Sequence, residues 1–330
     1  MKKRLLSIVL CSVMVMSLFA CGEKEPAKND GTTKPGVTTA QGESTTEATT
    51  TVKPTTTTEE AITKEPIYFE DFNSADPKVT LLYHPNFDEN TGKPQTAGTM
   101  PTNEAAVAAG KTLQFTTETP DGSQAITFDG TYAAMLDLEF TGDLDSYTLS
   151  FWINPARFQM YSTMFCVGKD LLEQEGKCAW LSVTSAGNDW NWGGNAQPVI
   201  WSRSLEAGAE AGVDVWPAYG EAYFWADYNL SMTQKEWHHV VITVDGTKDG
   251  WDPVVQAAVP GTVQGTTYID GQLWGTGPVA KYCVDETSSV YLGINPWDLV
   301  QKGSYDNVGI YDYALTAEQV FGLYNAQDGK

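Results

Sequence analysis

The sequence predicts an all-β fold, a sandwich of two antiparallel sheets that ends in one short helix. The first observation is the stretch Glu236–Gly246, EWHHVVITVDG, which is rich in β-branched residues and whose side chains divide between two faces with the period of two of a strand. The second is a series of short apolar segments separated by turns rich in Gly, Asp and Asn. The third is the lack of a long amphipathic helical pattern before the C-terminal segment.

The central stretch, Glu236–Gly246, is expected to form a strand with one face fully buried and the other mostly buried. One face carries His238, Val240, Ile242 and Val244, and the other carries Trp237, His239, Val241, Thr243 and Asp245. Asp245 and Gly246 supply turn chemistry and are expected to end the strand. Both histidines are expected to pack in the sheet rather than act in catalysis.

Further strands are expected on both sides of the central stretch, because a strand this apolar must be covered. They are predicted at 67–72, 113–116, 125–128, 147–154, 164–167, 180–183, 199–201, 222–225, 265–269, 290–294 and 304–311.

Residues 1–21 are predicted to be a signal peptide rather than part of the fold. Lys2, Lys3 and Arg4 precede an apolar run that is too short and too early for a stable membrane span. The run ends in Leu18–Cys21, LFAC, which resembles the lipobox of bacterial lipoproteins. The resemblance implies that Cys21 is lipidated and that the chain is anchored on the extracellular face of a bacterial membrane. The alternative is an ordinary secretory signal with a chance cysteine.

Residues 22–64 are predicted to be a disordered, Thr-rich linker. They contain almost no large apolar residue, so they cannot bury enough surface to offset chain entropy. Such a tether would hold one folded domain, residues 65–330, away from the membrane.

The chain is acidic, with a formal net charge of −22. An acidic surface repels nucleic acid and anionic lipid headgroups, so neither is an expected partner, and the membrane is met through the lipid anchor alone. Neutral or basic ligands and divalent cations are compatible with this charge. The acidity also has a simpler explanation, which is the solubility of an exported protein.

Five stretches occur in an order that is typical of one family. They are Ile126–Gly130 (ITFDG), Tyr147–Asn154 (YTLSFWIN), Trp237–Gly246 (WHHVVITVDG), Thr267–Leu273 (TYIDGQL) and Gly303–Tyr324 (GSYDNVGIYDYALTAEQVFGLY). Together they resemble laminin G-like, concanavalin A-like jelly-roll domains, and the last is also similar to the end of pentraxins. The resemblance implies a concanavalin A-like jelly-roll sandwich over residues 65–330.

The C-terminal helix has its own sequence signals. Thr316 and Gln319 form a capping box, and Val320, Leu323 and Tyr324 make an apolar stripe that is expected to be buried.

The resemblance also implies a calcium site, because members of this fold often bind calcium near the ends of the first and last strands. Asp306 matches the first acid of the family's closing strand. Glu70 and Asp71 lie in the expected opening strand beside it. Asp129 matches another acidic family position, where capping of a turn is an equally good role.

No catalytic motif is recognisable, and the chain is expected not to be an enzyme. A nucleophile elbow, a zinc-binding His-Glu-x-x-His helix and a phosphate loop are all missing. So is the Glu-x-Asp-x-x-Glu strand of glycosidases with this sandwich fold. A glycoside hydrolase of the same fold is kept as the weaker alternative.

Three cysteines lie in the expected folded region. Cys166 and Cys178 flank a loop and could form a disulfide that leaves Cys283 alone, or all three could be free buried thiols.

An aromatic segment at about 185–230 looks like an insertion into the family pattern. Aromatic rings on loops suit the C–H faces of sugars, and nearby Asn, Asp and Gln suit the hydroxyls. Loops are expected at Asn188–Asp189, Gly193–Asn195 and Ala207–Gly212. The candidate ligand residues are Trp190, Trp192, Trp201, Trp216, Tyr219, Tyr223, Trp225 and Tyr228.

The expected function is therefore recognition of carbohydrate, either polysaccharide or the glycans of glycoproteins. Protein adhesion through the same surface is the alternative. A third interpretation is that these tryptophans pack the insertion onto the sandwich. Trp152 and Trp237 are assigned to the framework, and the sequence assigns no oligomeric state.

Overall fold

The computed structural model describes residues 64–70, 72, 79–83, 112–136, 141–158, 162–171, 176–186, 197–213, 221–224, 232–253, 256–296 and 298–327. All of these lie in the compact unit Thr56–Lys330, and the unit Met1–Thr55 contains none of them. The predicted lipidation site, Cys21, therefore lies outside the described residues. The described part forms two sheets of eight strands each, which confirms the predicted all-β sandwich.

Sheet A contains the central stretch. Its strands, numbered in chain order along the whole molecule, are β1 (Tyr68–Glu70), β3 (Gln114–Thr116), β4 (Ala125–Asp129), β6 (Tyr147–Pro155), β11 (His238–Asp252), β12 (Ala257–Ile269), β13 (Gln272–Ala280) and β16 (Lys302–Tyr311). They are ordered β13-β12-β11-β6-β16-β4-β3, and β1 also pairs with β16. Every ladder in this sheet is antiparallel.

Sheet B covers the other side of the core. Its strands are β2 (Val79–Tyr83), β5 (Tyr132–Leu136), β7 (Ser162–Lys169), β8 (Ala179–Ala186), β9 (Gln197–Ser204), β10 (Glu221–Phe224), β14 (Ser289–Leu292) and β15 (Leu299–Val300). They are ordered β10-β9-β8-β7-β14-β5-β2, and the short β15 runs parallel to β7. The aromatic segment thus contributes two regular strands, the edge strand β10 and its neighbour β9, rather than loops alone.

The core fills the space between the sheets with alternate side chains from both. Leu149, Phe151 and Ile153 of β6 and Val240 of β11 face it from sheet A, and all four are buried. Phe151 stacks on Phe165 of sheet B with ring centroids 5.1 Å apart. This contact spans the sandwich at its centre.

Two helices are described. The first, α1 (Leu205–Glu210), begins after Ser204, whose Oγ accepts a hydrogen bond from the backbone N–H of Ala207 at 3.2 Å. The prediction of a loop at 207–212 was therefore wrong over most of its length. No helix of the described residues is both long and apolar enough to cross a membrane.

The C-terminal helix, α2 (Ala317–Gln327), packs on the outer face of sheet A as expected. The capping box is present: Gln319 Oε1 accepts from the N–H of Thr316 at 2.9 Å, and Thr316 Oγ1 accepts from the N–H of Gln319 at 3.3 Å. Val320 and Leu323 are buried, and the ring of Tyr324 stacks on Trp152.

The central strand extends further than predicted. Residues Asp245 and Gly246 do not end it, because β11 continues to Asp252 through register shifts against β12. The turn-forming residues lie in a β-bulge within the strand. Within this bulge, Asp245 Oδ1 accepts hydrogen bonds from the N–H and Oγ1 of Thr247. The β12–β13 hairpin does turn at Asp270 and Gly271, with φ of 52° and 71°, as the Asp-Gly signal predicts.

The two histidines of the central strand are held by packing and hydrogen bonds. His238 Nδ1 lies 2.8 Å from Asp270 Oδ2, which ties β11 to the hairpin turn. His239 Nε2 lies 2.8 Å from Ser150 Oγ, and its ring stacks on Trp152. Both arrangements are those of framework residues, as the sequence predicts.

Candidate functional site

Most of the predicted ligand residues lie outside the described part of the chain. These are Trp190, Trp192, Trp216, Tyr219, Trp225 and Tyr228. Trp201 lies in β9, and Tyr223 is placed by its backbone in β10, directly opposite Trp201 in the register. Trp201 is therefore the one predicted ligand residue whose side chain the structure describes.

Trp201 belongs to a row of residues that crosses four strands of sheet B. Tyr291 of β14 lies opposite Cys166 of β7, Cys166 opposite Ser182 of β8, and Ser182 opposite Trp201 of β9. Residues directly opposite one another in a sheet share a face, and the flanking residues Leu181 and Val290 face the core. The four residues therefore lie on the outer face, and we call them the outer row.

The ends and the centre of the outer row differ in exposure. Tyr291 and Trp201 are partly exposed, whereas Cys166 and Ser182 are fully buried. Three steps between neighbouring strands separate the two aromatic residues by about 14 Å. Trp201 packs edge-on against the buried Trp180, with ring centroids 5.0 Å apart, so its indole is held in place.

A loop after β14 lies over the centre of this row. Asn295 Nδ2 donates to Ser182 Oγ at 3.1 Å and to Asp298 Oδ2 at 2.7 Å. Asn295 Oδ1 accepts from the N–H of Asp298 at 2.7 Å, which closes the turn. Asn295 thus holds the carboxylate of Asp298 above the sheet between the two aromatic residues.

Asp298 is the ionisable group of the described site that titrates nearest to neutral pH. Burial raises its pKa from 3.8 to about 6, against the lowering effect of the hydrogen bond from Asn295. The residue is nevertheless partly exposed, so it lies at the outer surface of the sheet rather than in the core. Burial also raises the pKa of Tyr291 to about 12 and that of the Cys166 thiol well above its usual range. Near pH 7 the charge of this group comes from Asp298.

The outer row could not be found by reading along the sequence. Tyr291, Asn295 and Asp298 were missed because they lie far along the chain from Trp201, and only the strand order brings them together. One signal was present: Asn295–Asp298 reads NPWD, with an aromatic residue beside an amide and an acid, as in the DWNW of Asp189–Trp192.

The three cysteines of the folded part are free and buried. Cys166 and Cys178 belong to one apolar cluster on the outer face of sheet B, together with Leu171 and Trp180. The sequence left two alternatives, a Cys166–Cys178 disulfide or three free thiols, and the structure has three free thiols.

The residues predicted for calcium are only partly brought together. Asp306 is fully buried in β16, where Ser123 Oγ donates to its Oδ2 and the N–H of Asn307 donates to its Oδ1. Asp306 and Asn307 lie at a break on one edge of β16, between the residues that pair with β4 and those that pair with β1. Glu70 pairs through its backbone with Val308, next to this break. Asp71 lies outside the described residues.

Asp129 is not part of that group. It pairs with Lys302 at the far end of the β4–β16 ladder, and its Oδ1 accepts from the N–H and Oγ1 of Thr131. This is the turn-capping role, so the structure separates Asp129 from the other predicted ligands.

Asp121 lies near Asp306 instead, linked to it through Ser123 and Asn307, and no sequence motif indicated this. Its Oδ2 accepts from Asn307 Nδ2 at 3.4 Å. Partial burial raises its pKa, but hydrogen bonds from Ser123 and Asn307 outweigh that effect and leave the pKa lowered. Within the described ranges, no set of three or more acidic, His or Cys side chains is arranged to hold a metal ion.

Comparison with known proteins gives one family match. Residues 121–321 match Laminin_G_3, described as the concanavalin A-like lectin/glucanases superfamily. A search of curated proteins finds no match.

Several solved structures are similar to the chain. Domain 4 of an extracellular arabinanase from Geobacillus stearothermophilus, solved with arabinotriose, is 21% identical, with 75% of this chain and 99% of that domain covered and a TM-score of 0.45. A SAP-like pentraxin from Limulus polyphemus is 15% identical over 56% of this chain and 72% of its own, with a TM-score of 0.36. The CBM40 domain of a Ruminococcus gnavus sialidase, bound to α2,3-sialyllactose, is 11% identical over 57% and 95%, with a TM-score of 0.36.

Proposed function

Because the chain belongs to the concanavalin A-like lectin/glucanases superfamily, we propose that it is a carbohydrate-binding jelly-roll module. The observation that carries the proposal is the outer row with the carboxylate of Asp298 above it. Two partly exposed aromatic residues flank an acid and an amide on one face of a rigid sheet. This combination matches what a neutral sugar chain offers, which is apolar C–H faces and hydroxyl donors.

Neighbouring residues hold the side chains of the proposed ligand surface in place. Trp201 is fixed by its edge contact with Trp180, and Asp298 is fixed by Asn295, which is itself bonded to Ser182 of β8. A preorganised site loses little side-chain entropy on binding, so weak sugar contacts can add up. The segment that carries Trp190 and Trp192 connects β8 to β9, the strand that contains Trp201. We propose that these two tryptophans contribute to the same glycan-binding function.

A binding role fits the described part of the site better than hydrolysis. Glycoside hydrolysis uses two carboxyl groups on either side of the scissile bond. The described outer row has one nearby acid, Asp298, held by an amide. We therefore assign binding, with a glycosidase as the weaker alternative.

The proposal includes a location at the cell surface. The LFAC of Leu18–Cys21 and the Thr-rich residues 22–64 are the observations that support it. A lipidated Cys21 and a flexible tether would place the folded domain outside the bacterial membrane, where polysaccharides and glycoproteins are met. Calcium, held by Asp306 and its neighbours, is proposed as a structural ion that would stabilise the edge of β16.

A glycan array probed with the full-length chain tests the carbohydrate assignment. We expect retention on neutral polysaccharide fragments, competed by the same free oligosaccharides. The protein-adhesion alternative is separated by glycoprotein ligands treated with deglycosylating enzymes. Binding that survives complete deglycosylation, with no array signal, would reject the carbohydrate assignment in favour of adhesion.

A further inference from the structure

The turn that leads into the central strand contains a hydrogen-bonded histidine that lies outside the outer row. Residues 232–237 connect the aromatic segment to β11. Met232 is fully buried, and the N–H of Lys235 donates to the carbonyl of Pro155 at 2.8 Å. The aromatic segment therefore rejoins the framework through a turn that is fixed by burial at one residue and by a backbone bond at another.

His238, at the start of β11, accepts a hydrogen bond from this turn. The backbone N–H of Thr233 donates to His238 Nε2 at 3.0 Å. A backbone N–H has no lone pair to offer, so Nε2 must be the unprotonated nitrogen of the ring. The proton of the neutral imidazole is then on Nδ1, which donates to Asp270 Oδ2 at 2.8 Å. The geometry thus defines both the tautomer and the neutral state of His238.

A second atom of Thr233 lies within reach of the same nitrogen. Thr233 Oγ1 is 3.1 Å from His238 Nε2, and it also donates a hydrogen bond to Glu236 Oε2. A hydroxyl oxygen can accept one hydrogen bond while its own proton is donated elsewhere. If Nε2 gains a proton, it therefore has an acceptor in Thr233 Oγ1, whereas the N–H of Thr233 would face another N–H.

The charged groups around the imidazole come from two turns. Asp270 lies on the β12–β13 turn and contacts the ring directly, and Glu236 is linked to it through Thr233. Lys235 in the same turn is exposed, and β6 places the apolar Ile153 opposite His238. Burial lowers the pKa of the neighbouring His239 to about 3, so that ring stays neutral in mildly acidic solution. The ionic partners of a protonated His238 are therefore two carboxylates.

We propose that His238 is a pH-dependent switch for the turn at residues 232–237. While the ring is neutral, Nε2 holds the N–H of Thr233. Protonation places a hydrogen on Nε2, which then donates to Thr233 Oγ1 and releases the N–H. Histidine is the side chain that ordinarily changes charge between pH 5 and 8, so the exchange of partners occurs in mildly acidic surroundings. The turn then keeps the bond from Lys235 but loses the bond at the residue where the aromatic segment enters it.

Nuclear magnetic resonance of the full-length chain tests this inference, because the chain has only three histidines whose ring signals must be assigned. At pH 8 the nitrogen chemical shifts of the His238 ring should be those of the Nδ1–H tautomer. Between pH 8 and pH 5, the amide signal of Thr233 should change with the same midpoint as the His238 ring. The protection of that amide from hydrogen exchange, corrected for the intrinsic effect of pH, should fall about fivefold as one hydrogen bond is lost. The amides of Lys235 and His239, which are bonded to Pro155 and Asp270, should keep their protection.

A pair of threonine variants tests the exchange of partners. Thr233→Val keeps the backbone N–H and removes the oxygen that would accept from protonated Nε2. The ring of His238 should therefore titrate at lower pH in this variant than in the parent. Thr247→Val is the matched control, because it removes a hydroxyl that donates to Asp245 in the bulge of β11. It should leave the titrations of the His238 ring and the Thr233 amide unchanged.

Three results would overturn the inference. The first is a neutral His238 ring that carries its proton on Nε2. The second is an amide of Thr233 that keeps its signal and its protection while His238 titrates, or a His238 ring that stays neutral down to pH 5. The third is a Thr233→Val chain in which His238 titrates as it does in the parent.

Discussion

Asp298 is the residue whose protonation state we expect to control glycan binding at the outer row. A carboxylate can accept hydrogen bonds from sugar hydroxyls, and a neutral acid loses much of that capacity. Since burial raises its pKa to about 6, we expect glycan affinity to fall as the pH is lowered through 6. Calorimetric titration with the oligosaccharide selected on the array, repeated at several pH values between 5 and 8, measures this affinity. Asp298→Asn should bind weakly at every pH and lose the step, whereas Asp129→Asn should keep it.

The same residue should affect stability in the opposite sense. The pKa of Asp298 is higher in the folded chain than the ordinary 3.8, so the folded state favours the protonated acid. The protonated side chain therefore contributes to the free energy of unfolding. This contribution is fully present below pH 3.8 and is lost as the pH rises through 6. At pH 7 the buried charge costs roughly 2–3 kcal/mol. A residue that costs stability at neutral pH is consistent with a binding role.

His239 should give a second, separable pH effect. Burial lowers its pKa from 6.5 to about 3, so the unfolded chain takes up a proton at a pH where the folded chain does not. Stability is therefore lost as the pH falls from 6.5 towards 3, by up to about 1.4 kcal/mol per pH unit. We expect His239→Phe, which keeps an aromatic ring on Trp152, to flatten this slope relative to the parent. Urea unfolding at pH 7 and pH 4.5 measures it, and an unchanged slope would show that His239 does not control acid stability.

At the scale of the elements, the break on β16 between β4 and β1 is the place for the proposed calcium ion. The carboxylates of Asp306 and Asp121, which both accept hydrogen bonds from Asn307, would supply oxygen ligands there. An ion bound only to the folded state raises its stability, so a chelator should lower the melting temperature of the full chain. Asp306→Asn should abolish that sensitivity, and Asp129→Asn at the far end of β4 should retain it. Identical melting with calcium and with chelator would contradict a structural ion.

The elements also show where the sequence was informative. The strands β6 and β11 were predictable because their apolar residues show the alternation and β-branched composition of buried strands. The β12–β13 hairpin was predictable from Asp270-Gly271. The strand β5, YAAML, was missed because its alanines give no periodic signal, and β2 was missed although VTLLY is apolar. The end of β11 was misplaced because a bulge accommodates Asp245 and Gly246 within the ladder. The Asp-Gly sequence indicated a turn there, but the pairing of β11 with β12 continues past it.

At the scale of the whole molecule, the fold could be predicted and most of the site could not. Five motifs in the right order are enough to define the sandwich. The outer row depends on the order β14-β7-β8-β9, which brings Tyr291 within three strands of Trp201 although they are far apart in sequence. No local pattern encodes that order.

The location of the whole molecule is a further testable expectation. If Cys21 is lipidated, Cys21→Ser should release the chain from the membrane fraction or leave an unprocessed precursor. Metabolic labelling with a fatty acid, followed by fractionation, measures both. Cys178→Ser in the folded part is the matched control and should leave labelling unchanged. A Cys21→Ser chain that stays in the membrane, with no label on the parent, would contradict the anchor.

Carbohydrate binding by the outer row is tested most directly by calorimetric titration of Trp201→Ala with the oligosaccharide that the parent binds best. Loss of one indole face should weaken binding by about 1–3 kcal/mol, or roughly 5- to 150-fold. Trp237→Ala removes a partly buried tryptophan that directly precedes β11 and donates a hydrogen bond to the carbonyl of Glu118. This variant should melt earlier than the parent but bind with the parent's affinity while folded. If Trp201→Ala remains folded and binds the oligosaccharide as tightly as the parent, the outer row is not the carbohydrate site.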